Sequence, residues 1–164
     1  MHPFSPNGRG TPPPPLRFDR SHPEFAGFSL VSPHRILYKG KLYPTALHLL
    51  EAHKFGIKSG IAERIRLTEN IGEMRDYAEE QQHNARRDWE VILRDKLEDV
   101  LCSKFIQHRS LREVLLDTGI AELIFTEPDL FWGQGPNGEG QNELGKALMR
   151  VRERLRQEGA GLRY

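Results

Sequence analysis

Apolar residues return at three- and four-residue spacing from Asp88 to Gln107, at Trp89, Ile92, Leu93, Leu97, Val100, Leu101 and Phe105. That period predicts one long amphipathic helix lying on a core, with Cys102 packed beside its buried face. Shorter stretches of the same kind predict helices over residues 45–55, around Ile61 and Ile65, from Ile71 to Gln81, and around Leu111, Val114 and Leu115. Pro44-Thr45 suits the first of these starts, because proline is tolerated in a first turn and threonine caps. Gly119 is placed to close the last as its C′ residue. Ile36 to Tyr43 reads differently, as two short strands meeting at Gly40. Ile120 to Phe125 is short and apolar and reads as a buried strand. Asn142 then stands as an N-cap before a final helix whose core positions are Leu144, Leu148, Val151 and Leu155. Helices do not alternate with strands, so no βαβ pattern and no internal repeat is expected. The fold class is α+β, mostly helical, with a few short strands and a glycine-rich loop.

Composition bounds this picture. A chain of 164 residues suits one domain with a real core. Seven of the eleven prolines precede Glu24, so residues 1–20 read as a disordered or polyproline-like arm. The folded domain is expected over 24–158 and a short flexible tail over 159–164. One cysteine allows no intrachain disulfide, which fits a reducing compartment. No apolar run near the N-terminus resembles a signal peptide, and no stretch is suited to span a bilayer. Cytosolic residence is the default these features set, with the nucleus also open. A net charge of +1 argues against a general nucleic-acid surface. The locally basic final helix, with Lys146, Arg150, Arg152, Arg154 and Arg156, reads as a solvated face.

The chemistry concentrates between Thr126 and Arg152, where Asp129 and Trp132 lead into five glycines within thirteen residues. Two phosphate motifs nearly appear there. Gly133 to Gly138 matches G-x-G-x-x-G in letters but lacks the strand-to-helix setting of a dinucleotide site. Gly140 to Ala147 is one residue from a Walker A sequence, with Ala147 where a hydroxyl must meet magnesium. What remains is a general expectation of backbone N–H groups before a helix N-terminus, a favourable place for an anion. His48 and His53 bracket Glu51 at a spacing that matches no zinc motif, and a third ligand is missing. Cys102 reads as structural. Better candidates are Asp129, Trp132, Trp89, Arg86 and Arg87, since an indole offers a flat face for a base and guanidinium groups suit phosphate.

The spacing Asp129, Trp132-Gly133, Gly135, Gly138, Gly140, Asn142, Leu144-Gly145, Leu148-Met149 and Arg152 resembles the NADAR family of YbiA-like domains. The resemblance continues through Gly40, Tyr43-Pro44-Thr45, His48, Ala52, Lys54-Phe55, Arg86 with Trp89, Lys104-Phe105 and Thr118-Gly119. It implies a compact single helical domain and an N-glycosidase that cleaves a base or amine from a phosphorylated ribose. The implied substrates are early riboflavin-pathway intermediates or ADP-ribose attached to guanine, in nucleic acid for some members. No metal or redox cofactor is implied. By resemblance, Asp129 is the acidic catalytic residue, while Phe28, Trp89 and Trp132 shape the pocket. Gly133 and Asn142 support it from the loop. His48, Lys54 and Arg86 are further substrate-binding candidates, Lys54 and Arg86 for phosphate or sugar oxygens. The Pro-rich arm is a candidate segment for a protein partner, and no membrane is involved.

Two departures bear on activity. The family's helix motif carries a glutamate directly before the histidine, and here Leu47 stands there. Losing one of two cooperating carboxylates commonly costs orders of magnitude in rate. Glu51, one helical turn along the same face, is a speculative substitute, displaced by about 5–6 Å of backbone. Upstream, Phe25-Ala26-Gly27-Phe28 keeps the aromatics of an F-S-N-F-type segment but not its polar pair. The alternative reading is therefore a catalytically impaired domain that binds a nucleotide or ADP-ribose.

Overall fold

The computed structural model describes residues 10–161. In chain order its elements are β1 (Leu16–Phe18), β2 (Ile36–Tyr38), β3 (Lys41–Tyr43), α1 (Ala46–Lys54), α2 (Gly60–Leu67), α3 (Ile71–Glu80), α4 (Trp89–Gln107), α5 (Arg109–Asp117), β4 (Leu123–Phe125) and α6 (Glu143–Gly161). Single turns of 3-10 helix lie at Ala26–Phe28 and Gln82–Asn84. The helices that apolar periodicity predicts all form.

Local chemistry explains the starts. Thr45 Oγ1 accepts the His48 N–H at 3.2 Å, Ser59 Oγ that of Ala62 at 3.1 Å, and Asn70 Oδ1 that of Glu73 at 2.9 Å. Each cap is worth about 1 kcal/mol, so α1, α2 and α3 begin where these residues stand. Between β2 and β3 the turn residues Lys39 and Gly40 both have positive φ, 48° and 81°. A two-residue hairpin loop demands that conformation, and glycine adopts it without strain. The register pairs Ile36 with Tyr43.

The core is built on α4, which packs against α6 on one side and α1 on another. Leu97, Leu101 and Phe105 of α4 are fully buried with Leu49 and Leu50 of α1 and Leu148 and Val151 of α6. Cys102 is buried on the same helix.

Two expectations need correction at the chain ends. Residues 16–18 are not part of a loose arm: they form β1, which runs parallel to β4 with Leu16 opposite Leu123 and Phe18 opposite Phe125. Phe18 is buried against Phe28 and Phe125. Removing a phenylalanine from water stabilises by about 2–3 kcal/mol, enough to draw three residues out of a proline-rich flank. Residues 1–9 lie outside the described residues. At the other end α6 continues to Gly161, beyond the expected boundary at 158.

Candidate active site

Where α1, β4 and the following loop meet, a cavity of about 190 Å³ opens to the surface. Leu47, Phe125 and Leu144 form its apolar floor, and Asp129, Glu127, Trp132, Arg20 and Arg75 its polar rim. Ser29, Leu30 and Val31 complete the wall.

Asp129 owes its position to a turn of its own making. Its Oδ1 accepts the N–H groups of Phe131 at 2.8 Å and Trp132 at 2.6 Å. Among the described residues no group donates to Oδ2, which leaves that oxygen for a ligand. The same turn sets Trp132, whose indole meets the Phe131 ring edge-on at 4.7 Å. Arg75 makes no hydrogen bond or ion pair among the described residues, so its guanidinium is uncommitted.

The glycine loop turns out to serve packing. Gln134 N–H bonds Phe125 O at 2.8 Å and Gly140 N–H bonds Gln134 O at 2.6 Å. Asn142 does not cap α6 with its side chain. With φ at 49° it turns that side chain onto β4, accepting from Phe125 N at 2.9 Å and donating to Leu123 O at 2.9 Å. The amide thus pairs with β4 much as a neighbouring strand would. A helix start leaves N–H groups without intrahelical partners. Here Glu143 and Leu144 give theirs to Phe131 O and Trp132 O at 3.0 and 3.2 Å. Glu143 itself is buried and paired with Arg94 at 3.1 Å. The expected anion site on the backbone N–H groups before α6 is therefore filled by the protein. Gly145 is required for close approach, because a Cβ there would overlap the Leu123 carbonyl. That contact accounts for the glycine in the Walker-like string.

Other sequence candidates lie elsewhere. Phe28 and His48 are wholly buried and present no surface to the cavity. His48 Nε2 donates to Thr68 O at 2.8 Å and its Nδ1 takes the Thr45 hydroxyl at 2.7 Å, tying α1 to the end of α2. Its burial lowers the imidazole below its ordinary value. Trp89 packs half-buried on the core and is not part of the cavity lining. Arg86 is exposed and doubly bonded to Asp88 at 3.0 Å, and Arg87 is exposed as well. Gly133 is buried beneath the loop. Ala26 and Gly27 line an adjoining hollow that shares Arg20 and Ser29 with the Asp129 cavity.

Glu51 and Lys54, 3.9 Å apart, line a separate hollow with Glu79 and Gln82. Arg75 borders both spaces. Burial pushes the Glu51 carboxyl up, against the opposing charges of Lys54 and Arg75, and its Oε2 has no hydrogen-bond partner. Leu47 and Glu51, one helical turn apart, thus line different hollows.

Sequence reasoning missed Arg20, Glu127 and Arg75. Glu127 was legible in part, standing two residues before Asp129 in the same loop. Arg20 depends on β1, whose three residues carry no visible period. Arg75 lies on the polar face of α3, where nothing marks one arginine over another.

Beneath the wall lies Lys104, fully buried on α4. Its Nζ donates to Ser29 O at 2.7 Å and Ser32 Oγ at 2.6 Å, and burial pushes the ammonium down to about 7. It fixes the 29–32 segment to the core. Among the described residues no cluster of three or more His, Cys, Asp or Glu side chains is placed to hold a metal ion, and no helix is long and apolar enough to cross a membrane.

A mostly helical α+β domain with a carboxylate and an indole beside a glycine-rich loop is the class this geometry defines. The chain belongs to the NADAR domain family, which it matches over residues 17–156. It is 33% identical over 141 residues to the N-glycosidase YbiA of Escherichia coli K12, covering 85% of this chain and 88% of that protein. An N-glycosidase of Nostoc punctiforme is 37% identical over 132 residues, covering 79% and 85%. A riboflavin biosynthesis protein of Vibrio vulnificus is 34% identical over 140 residues, covering 85% of this chain and 37% of its own length. The solved structure of E. coli YbiA superposes with a TM-score of 0.82 at 31% identity, covering 94% of this chain and 91% of that one.

Proposed function

We propose that this chain hydrolyses the N-glycosidic bond of a phosphorylated ribose conjugate, of the riboflavin-intermediate or ADP-ribosyl-guanine kind. The observation that carries the reading is the convergence of Asp129, Trp132 and two arginines on one cavity. Relatives named as N-glycosidases lend it further support. Breaking the bond develops positive charge on the ribose, and a fixed carboxylate stabilises that oxocarbenium-like state. Asp129 Oδ2 is the free oxygen for this purpose. The Trp132 face suits the base or amine-bearing ring. Arg75, which is uncommitted, suits phosphate, in the place the sequence assigned to Arg86 and Lys54.

A second reading has one specific observation behind it. Leu47 is only 5% exposed and lies in the cavity floor, at the position where the resemblance implies a glutamate. An apolar group there supports a domain that binds its ligand but turns it over poorly. Incubation of wild type, Asp129→Ala and Leu47→Glu with phosphoribosyl-pyrimidine and ADP-ribosyl-guanine separates the two. The hydrolase reading expects wild-type release of base, a loss of about 100-fold or more in Asp129→Ala, and a gain in Leu47→Glu. Turnover by Leu47→Glu alone, with ligand binding intact in wild type, would establish the binding domain instead.

A further inference from the structure

With Leu47 apolar and Glu51 in the neighbouring hollow, the cavity still holds two carboxylates, Asp129 and Glu127. They stand two residues apart on the loop leaving β4. The backbone ahead of Glu127 is secured, since Thr126 N–H bonds Phe18 O at 2.9 Å. Its side chain is held as well: Oε1 accepts Arg20 Nε at 3.2 Å, while among the described residues nothing donates to Oε2. About a quarter of the side chain remains exposed, at 26%. It is thus accessible to a water at the cavity rim.

We infer that Glu127 is the second catalytic carboxylate of this site, the general base that stands in for the missing glutamate at position 47. The inference rests on the hydrolase reading above. Glycoside hydrolysis commonly divides its work between two carboxyl groups flanking the scissile bond. Asp129, with one oxygen locked into its turn by two N–H groups, is the rigid member and faces the developing charge. Glu127 has the longer side chain, one oxygen steered by Arg20 and one open. In the step itself the water oxygen bonds to ribose C1 and the C1–N bond breaks, its electron pair staying on nitrogen. The proton released by water passes to Glu127 and from there to solvent, and the departing nitrogen takes a proton from solvent. One water is consumed, and the products are a ribose hydroxyl and a free amine or base. Arg20 acts through Glu127 as a positioning residue.

The test is Glu127→Gln in the full chain. The amide oxygen still accepts from Arg20 and keeps the shape, but it cannot take a proton. With a phosphoribosyl-amine substrate, kcat is expected to fall about 100-fold or more while the ligand Kd stays within about threefold. Added formate should restore part of the rate in Glu127→Ala. Equal turnover by wild type and Glu127→Gln, with Asp129→Ala inert, overturns the assignment and leaves the hydrolase reading standing. A joint fall in kcat and affinity without formate rescue also overturns it, showing a structural part only. Wild type as inert as Asp129→Ala removes the hydrolase reading, and the general base with it.

Discussion

A buried lysine with no carboxylate beside it is unusual, and Lys104 shows what such a residue does for a fold. The burial penalty falls on its charged form, taking the folded-state value from 10.5 to about 7. In the unfolded chain the group returns to the ordinary value. Between about 7 and 10.5 the unfolded state therefore binds more protons, so this group makes stability rise with pH across that window. Fully effective, the slope is about 1.4 kcal/mol per pH unit. Urea unfolding of wild type and Lys104→Met at pH 7.5 and 9.5 (roughly the ends of that window) should show wild type gaining on the variant as pH rises. His53 is the acid-side counterpart, lowered to about 4 by burial. Its contribution is present above the ordinary histidine range and is lost as pH falls towards 4. None of this was legible in sequence, where Lys104 merely interrupts an apolar face and matches a family pattern. Burial of a single polar residue is decided by partners, here Ser29 and Ser32, some 75 and 72 residues away.

Among the elements, the helices were legible because apolar periodicity runs through all of them, although a side-chain cap fixes the start of only α1, α2 and α3. Strand β1 was not, since Leu16-Arg17-Phe18 is too short to show alternation and follows four prolines. The loop was legible as unusual but not in its purpose. Its glycines permit backbone to cross backbone, and its side-chain anchor is Asn142. Replacing Asn142 with alanine strands Phe125 N–H and Leu123 C=O without their partners. Leaving two such groups unsatisfied should cost about 2–4 kcal/mol, measurable as a lowered denaturation midpoint. Ligand affinity should fall as well, through displacement of Trp132 and not through any lost contact with Asn142. The same substitution at an ordinary N-cap would cost about 1 kcal/mol.

At the scale of the whole molecule, the fold class and single domain followed from the sequence, and Asp129 and Trp132, its two leading candidates, line one cavity. The rest of the site depends on long-range pairing. Arg20 and Glu127 meet across 107 positions of chain, and β1 finds β4 across the same interval. Contacts of such sequence separation carry a large loop-closure cost and form slowly compared with local helices. The packing of α1 on α4 and of α4 on α6 does not run through β1. Refolding followed by far-ultraviolet circular dichroism should thus run ahead of refolding followed by ligand capture, and simultaneous recovery of both signals would refute that order. On a ribosome the same topology means that the N-terminal strand must wait until β4 has emerged. Nascent chains of this protein would carry local helices for much of their synthesis but complete neither the core nor the cavity until the end, because β1 waits for β4 and α4 waits for α6, the last helix made.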